Sequence, residues 1–261
     1  MNATTPGPVS TALRRRALAA GVHFLLSLLV ALLTALLVLW LWYPSPYDVL
    51  AGGRGLFWLV VSVDVVMGPL LTFVVFNEKK PRKELVRDLA IIGAMQLGAL
   101  AYGLHTVYAV RPVALVFETD RFRVVTAFDV RVQELPRALP AYRELPMATR
   151  WLLGTRTSQA GDERLQAIDL ALQGYDVGQR PSYWQPYEQS KAAALERARP
   201  VSVLLKQYPQ AQSDLQQRLS AHGLAADSAR FLPVMARAQG WSVLLEPDGD
   251  IAGFVPYDGF F

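Results

Sequence analysis

Asp64 stands inside an apolar run, Val60-Val61-Ser62-Val63-Asp64-Val65-Val66-Met67-Gly68-Pro69. If that run crosses a bilayer, a carboxylate there costs about 2.5 to 3.5 kcal/mol on insertion scales, so it should face protein or water. Three roles fit such a group: an internal hydrogen bond to His105 or a serine, reception of a cationic group from a partner helix, or a proton relay. A relay is the weakest of these, because no chain of further acids accompanies Asp64. Gly68-Pro69 follows directly, and proline removes one helix hydrogen bond and crowds the preceding turn, which predicts a kink beside the charge. Other catalytic arrangements are missing. There is no GxSxG, no Walker loop, no HExxH and no Rossmann fingerprint. The three histidines, His23, His105 and His222, have no ligand spacing with carboxylates, and cysteine is absent, so no metal, cofactor or thiol chemistry is expected. A non-enzymatic role follows as the expectation.

The elements that position Asp64 are three apolar runs, at about residues 22–43, 56–76 and 89–110. Each is long enough to cross a hydrocarbon core of about 30 Å as a helix. Arg14, Arg15 and Arg16 precede the first, Arg54 alone separates the first two, and Lys79, Lys80, Arg82, Lys83 and Arg87 separate the last two. Basic residues in short loops stay cytoplasmic. The N-terminus and the second loop are then inside, and the chain beyond residue 110 is outside. The expected organisation is a cytoplasmic tail at 1–16, a three-span domain at 17–110 and an outer domain at 111–261. The first run is too long for a signal-peptide core and lacks a small-residue cleavage site, so it reads as an uncleaved anchor. Residues 1–13 read as a short disordered tail.

The formal charge of +4 sits wholly in the membrane part: nine basic against five acidic residues up to 110, and 17 of each beyond. That excess suits topology and anionic lipid, so the bilayer is a partner and nucleic acid is not. Tyr43, Tyr47, Phe57 and Trp58 around the first loop suggest an aromatic belt, or a docking surface for a membrane partner. In the third run Ala90, Ala94 and Gly98 recur at i, i+4, i+8. Such small residues let helices approach closely in lipid, so this face should pack on the first two spans or receive a helix from another protein. Gln96 adds a polar handle. His105 lies about five residues below the outer end, where it could meet Asp64.

The outer domain reads as α+β: an early strand over 113–126, several short helices and a late β-hairpin. In the early strand Phe122 alternates onto one face with Glu118, Asp120 and Val124. Helices are expected at 163–172, 187–198, 200–208, 213–222 and 228–239, with Gly223 and Gly240 as stops. Pro247-Asp248-Gly249-Asp250 between two apolar runs predicts the hairpin, which should pair with the early strand.

Several stretches resemble one family. They are residues 23–33, Leu41-Trp42-Tyr43-Pro44, Pro46-Tyr47, Val63-Asp64-Val65-Val66-Met67-Gly68-Pro69-Leu70-Leu71-Thr72, Val75-Phe76-Asn77, residues 80–85 and residues 115–122. Across residues 20–130 the chain resembles the TfpX/TfpZ family of type IV pilin accessory proteins. The resemblance implies a bacterial inner-membrane protein with a periplasmic C-terminal domain. Its partner would be the major pilin of a type IV pilus, whose assembly it promotes as a chaperone-like factor. A structural component of the pilus assembly platform, or a membrane enzyme acting on pilin, are the competing expectations. The residues singled out for partner binding are Asp64, Gly68, Pro69, Gly98, His105 and Phe122.

Overall fold

A computed structural model describes residues 8–261, with side chains from residue 11 onward. The expected tail is helical from residue 8, and its first seven residues lie outside the described part. The chain forms two compact units, one of residues 1–41 and 53–108, the other of residues 42–52 and 109–261.

The first unit is three helices. α1 (Pro8–Ala35) widens at its end into a π-helical stretch, Leu36–Trp42. α3 (Gly53–Val75) and α4 (Arg82–Ala109) follow. All three are long and apolar enough to cross a membrane. α3 continues through Pro69 to Val75, so the proline does not end it. α1 buries Ser27, Ala31, Thr34 and Val38, spaced three to four residues apart as one helical stripe. α3 buries Phe57, Val61, Gly68 and Thr72, and α1 and α3 pack together along their length. The small-residue seam between helices is therefore on α1. Ala90, Ala94 and Gly98 of α4, expected to pack on the other spans, are exposed. α4 meets α3 through a different face, at Gln96 and Gly103, where a Cβ on Gly103 would meet Val60 Cγ1 at 2.7 Å. Arg15 at the start of α1 pairs with Glu78 in the α3–α4 loop, so both basic segments lie at one end of the bundle.

The second unit is a mixed eight-stranded sheet in the order β4-β3-β1-β2-β6-β7-β8, with β5 on β6. β1 (Pro112–Glu118) and β2 (Arg121–Thr126) form a hairpin where one strand was expected. Thr119 turns the chain in the left-handed region, φ 56°. β3 (Trp151–Thr155) runs parallel to β1, and the short β4 (Trp184–Pro186) closes that edge. β6 (Arg230–Met235) replaces the helix expected over 228–239. Pro233 lacks the N–H that a helix interior needs, and the neighbouring Phe231, Leu232 and Val234 suit a strand. β6 runs parallel to β2, with Phe122 opposite Val234. The expected late hairpin, β7 (Trp241–Leu245) and β8 (Ile251–Val255), pairs with β6 and not with the early strands. β5 is Arg199–Pro200.

The other helices fall where sequence placed them. α5 is Asp162–Leu172, α6 Lys191–Arg197, α7 Val201–Gln207 and α8 Gln212–Ala221. Gly223, φ 69°, ends the last of them, a conformation that costs glycine nothing. α7 and α8 cover the β6–β8 end through Leu204, Leu215 and Leu219 against Phe231 and Leu244. A second core of Val113, Val116, Val125, Leu153 and Trp184 fills the β1–β3 end.

The loop between the first two long helices is built into this sheet unit. Its single turn α2 (Tyr47–Leu50) follows Tyr43, and Tyr43, Leu50 and Ala51 are buried. The Ala238 amide donates to the Leu50 carbonyl at 3.1 Å. Tyr47 packs edge-on to Phe254, centroids 5.9 Å apart, under the Arg150 guanidinium at 5.6 Å. Burial pushes the Tyr47 phenol up to about 12, which the nearby arginine only moderates. Tyr43 and Tyr47, expected in an aromatic belt, are thus part of a folded domain, while Trp40 and Trp58 remain exposed.

Candidate functional site

Within the helical unit, polar side chains from all three helices converge. His23 Nδ1 of α1 lies 2.5 Å from Thr72 Oγ1 of α3. The Gln96 side-chain amide of α4 donates to the main-chain carbonyl of Asp64, at 3.1 Å. Gly68 makes that reach possible, because a Cβ there would collide with the Gln96 amide. Proline at 69 leaves the Val65 carbonyl without its helix donor, so this turn of α3 is the one most in need of outside polar partners. His23, Gln96 and Asp64 line one common cavity.

Asp64 sits where two cavities meet. One, about 160 Å³, is lined by His23, Ser27, Asp64, Gly93 and Gln96 among others. The other, about 260 Å³, is an apolar cleft between α3 and α4, walled by Leu59, Val60, Val63, Leu100, Tyr102 and Gly103, with Asp64 among its lining residues. A carboxylate in the lining of an apolar cleft favours an occupant that is apolar along most of its length and brings one hydrogen-bond donor or positive charge.

Of the six residues singled out from sequence, Asp64, Gly68 and Pro69 share this turn of α3. Gly98 faces open space on α4, with nothing within 4 Å of a Cβ built there. His105 is exposed and lines neither cavity, so the expected meeting with Asp64 is replaced by His23 and Gln96. Phe122 is fully buried, its ring 5.6 Å from both Phe117 and Tyr187, so it is core and offers nothing to a partner. Gln96, expected as a polar handle, does bond across helices, whereas His23 and Thr72 were visible in the sequence only as polar residues within or beside apolar runs.

In the sheet unit two buried ion networks stand out, one on the early hairpin and one between the segments around Glu134 and Arg180. Glu118 accepts from Arg123 Nε at 2.6 Å and from the Gly178 amide at 2.8 Å, and Arg123 also pairs with Asp176. Burial nonetheless pushes the Glu118 carboxyl above its ordinary range. Glu134 accepts from Arg180 Nε at 2.9 Å and from the Ser182 hydroxyl. Among the described residues no group of three or more His, Cys, Asp or Glu could hold a metal ion.

Comparison with known proteins decides the family. Residues 11–52 match the profile of the fimbrial assembly protein FimB family. A fimbrial assembly protein of Dichelobacter nodosus, serogroup I, is 39% identical over 242 residues, covering 92% of this chain and 94% of that protein. The chain belongs to the fimbrial assembly protein family. The serogroup E1 protein of the same organism is 38% identical over the same span. The serogroups C1 and C2 protein is 47% identical over 118 residues, 45% of this chain and 90% of that one. No solved structure matches. Because the fimbrial assembly relatives cover 92% of the chain, both the helical unit and the sheet unit lie within the family likeness.

Proposed function

We propose that this protein is an inner-membrane accessory factor of type IV pilus assembly that holds a pilin subunit by its transmembrane helix, chaperone-like and without catalysis. The observation that carries the proposal is Asp64 among the lining residues of the apolar α3–α4 cleft. Family membership supports the process, and the resemblance to the TfpX/TfpZ proteins supports the pilin as partner. The positive-inside arrangement of Arg14–Arg16 and of the 79–87 loop supports a periplasmic position for the sheet unit, on the side of the pilin head. The cleft takes the apolar length of the helix, and the Asp64 carboxyl meets a cationic or donor group on it.

A second contact has its own support. The exposed small stripe Ala90, Ala94, Gly98 is a surface on which another helix can pack closely. It suits a neighbouring protein of the assembly platform, with His105 beside it.

Asp64→Asn tests the first contact, since it keeps shape and removes charge. A hydrogen bond to a charged group contributes about 1.5 to 3 kcal/mol, so capture of pilin should weaken roughly tenfold or more. Fimbriation and pilin co-purification from membranes are the readouts. Unchanged fimbriation and unchanged pilin recovery at equal protein level would sink the assignment.

A further inference from the structure

Three arginines far apart in sequence, Arg137, Arg156 and Arg180, line one cavity of about 550 Å³ in the sheet unit. Two of them are held rigidly. Arg156 and Arg180 lie on the Tyr183 ring, 4.5 and 4.6 Å from its centroid, and Tyr183 is fully buried. Arg156 clamps Glu163 with two bonds, at 2.6 and 3.2 Å, and holds that carboxyl down to about 2. Arg180 is buried and spends its Nε on Glu134, which Arg131 also approaches at 3.3 Å. Its Nη1 is buried with no hydrogen-bond partner, a group whose desolvation is uncompensated. Arg137 forms no ion pair among the described residues, and its side chain is exposed.

Charge balance specifies the missing ligand. Glu163 answers Arg156, and Glu134 is shared by Arg180 and Arg131, which leaves an excess of positive charge with Arg137 as the lining cation without a carboxylate. An anion fits that excess. Guanidinium groups match a planar carboxylate with paired N–H donors, as Arg156 already does with Glu163. The cavity is also much larger than a single carboxylate requires and lies in the ordinary range for ligand pockets, roughly 300 to 1,000 Å³. The rest of its wall includes four glutamines, Gln159, Gln166, Gln185 and Gln189, and the Trp184 ring. Side-chain amides donate and accept, which suits the main-chain amides around an acidic side chain.

We infer that this cavity is a recognition pocket for an acidic side chain of another polypeptide, whose carboxylate pairs with the exposed Arg137 beside the fixed Arg156–Tyr183–Arg180 stack while the glutamines pair with its backbone. The pocket lies wholly within the sheet unit and does not depend on the reading of the α3–α4 cleft.

The test uses the full chain in detergent micelles and the probe N-acetyl-glutamate amide, followed through the Trp184 indole and arginine Nε–H resonances. Its neutral isostere N-acetyl-glutamine amide, acetate and inorganic phosphate are the comparisons. Saturable binding of the glutamate probe is expected, with shifts at Trp184, at least tenfold weaker binding of the glutamine probe and weaker binding of acetate. Arg137→Gln should weaken the glutamate probe about tenfold, one uncompensated charge being lost, while leaving thermal unfolding unchanged. Arg180→Gln would break the buried Glu134 ion pair of the fold itself, so Arg137→Gln carries the test. Equal binding of both peptide probes overturns the proposal, as does acetate matching the glutamate probe, phosphate binding more tightly, or binding indifferent to Arg137→Gln.

Discussion

Phe122→Ala is expected to destabilise the C-terminal domain by about 3 to 5 kcal/mol, the usual cost of emptying a large aromatic site in a core. The ring is fully buried and touches Phe117 within its own hairpin and Tyr187 from the segment after β4. Phe122 also stands opposite Val234, at the junction where β2 meets β6 and the two ends of the sheet join. Its loss therefore opens a cavity at the seam between the two halves. Domains of this size are stable by about 5 to 15 kcal/mol, so a substantial share of the total is at stake. Denaturant unfolding in detergent, read by the fluorescence of Trp151, Trp184 and Trp241, measures it as a lowered midpoint at unchanged slope. A near-normal midpoint together with lost partner binding would return Phe122 to the partner-binding role expected from the sequence.

Arg123→Leu should cost about as much, 3 to 5 kcal/mol near neutral pH, because it strands a buried carboxylate. Glu118 would keep its Gly178 amide bond but lose the arginine that is hydrogen-bonded to it. The pH dependence separates this cause from simple loss of packing. Burial already raises the Glu118 carboxyl above its ordinary value with Arg123 in place, and removing Arg123 raises it further. A raised folded-state value means stability that is fully present below the unfolded value and lost as pH rises through the folded one. The variant should then be closest to the parent at about pH 4, near the unfolded value of a glutamate, and fall behind it as pH rises toward 7. Unfolding midpoints of the two proteins across that range give the answer. A difference that stays constant with pH would show that Arg123 acts through packing alone.

The long helices and most of the short ones were legible because each carries a local signal. Apolar length marks α1, α3 and α4, and Gly223 marks the end of α8. The turn at Thr119 was not legible, because β-branched residues rarely take a positive φ and no Gly or Asn announced it. Its absence merged two strands into one and left the side of Phe122 undecided. β6 was read as a helix because Ser228 and Gly240 look like helix boundaries, while Pro233 between them argues against a helix interior. At the candidate site, Asp64 and Gly68-Pro69 stood out by chemistry alone. Their neighbours did not, since which face of α1 or α4 meets α3 depends on helix rotation. His23 and Gln96 fill the place given to His105 for that reason. The arginine pocket was invisible in a domain of zero net charge, because its three cations come from segments that only the folded sheet brings together.

The central claim is that the α3–α4 cleft holds a pilin helix. The direct test is photo-crosslinking in fimbriated cells from single probe residues at Leu59 and Tyr102 on the cleft walls, with Trp40 on the exposed side of α1 for comparison. Pilin-sized adducts from Leu59 and Tyr102, weakened by Asp64→Asn and absent from Trp40, are the expected result. Cleft probes that give no pilin adduct in cells that still assemble fimbriae normally would contradict it.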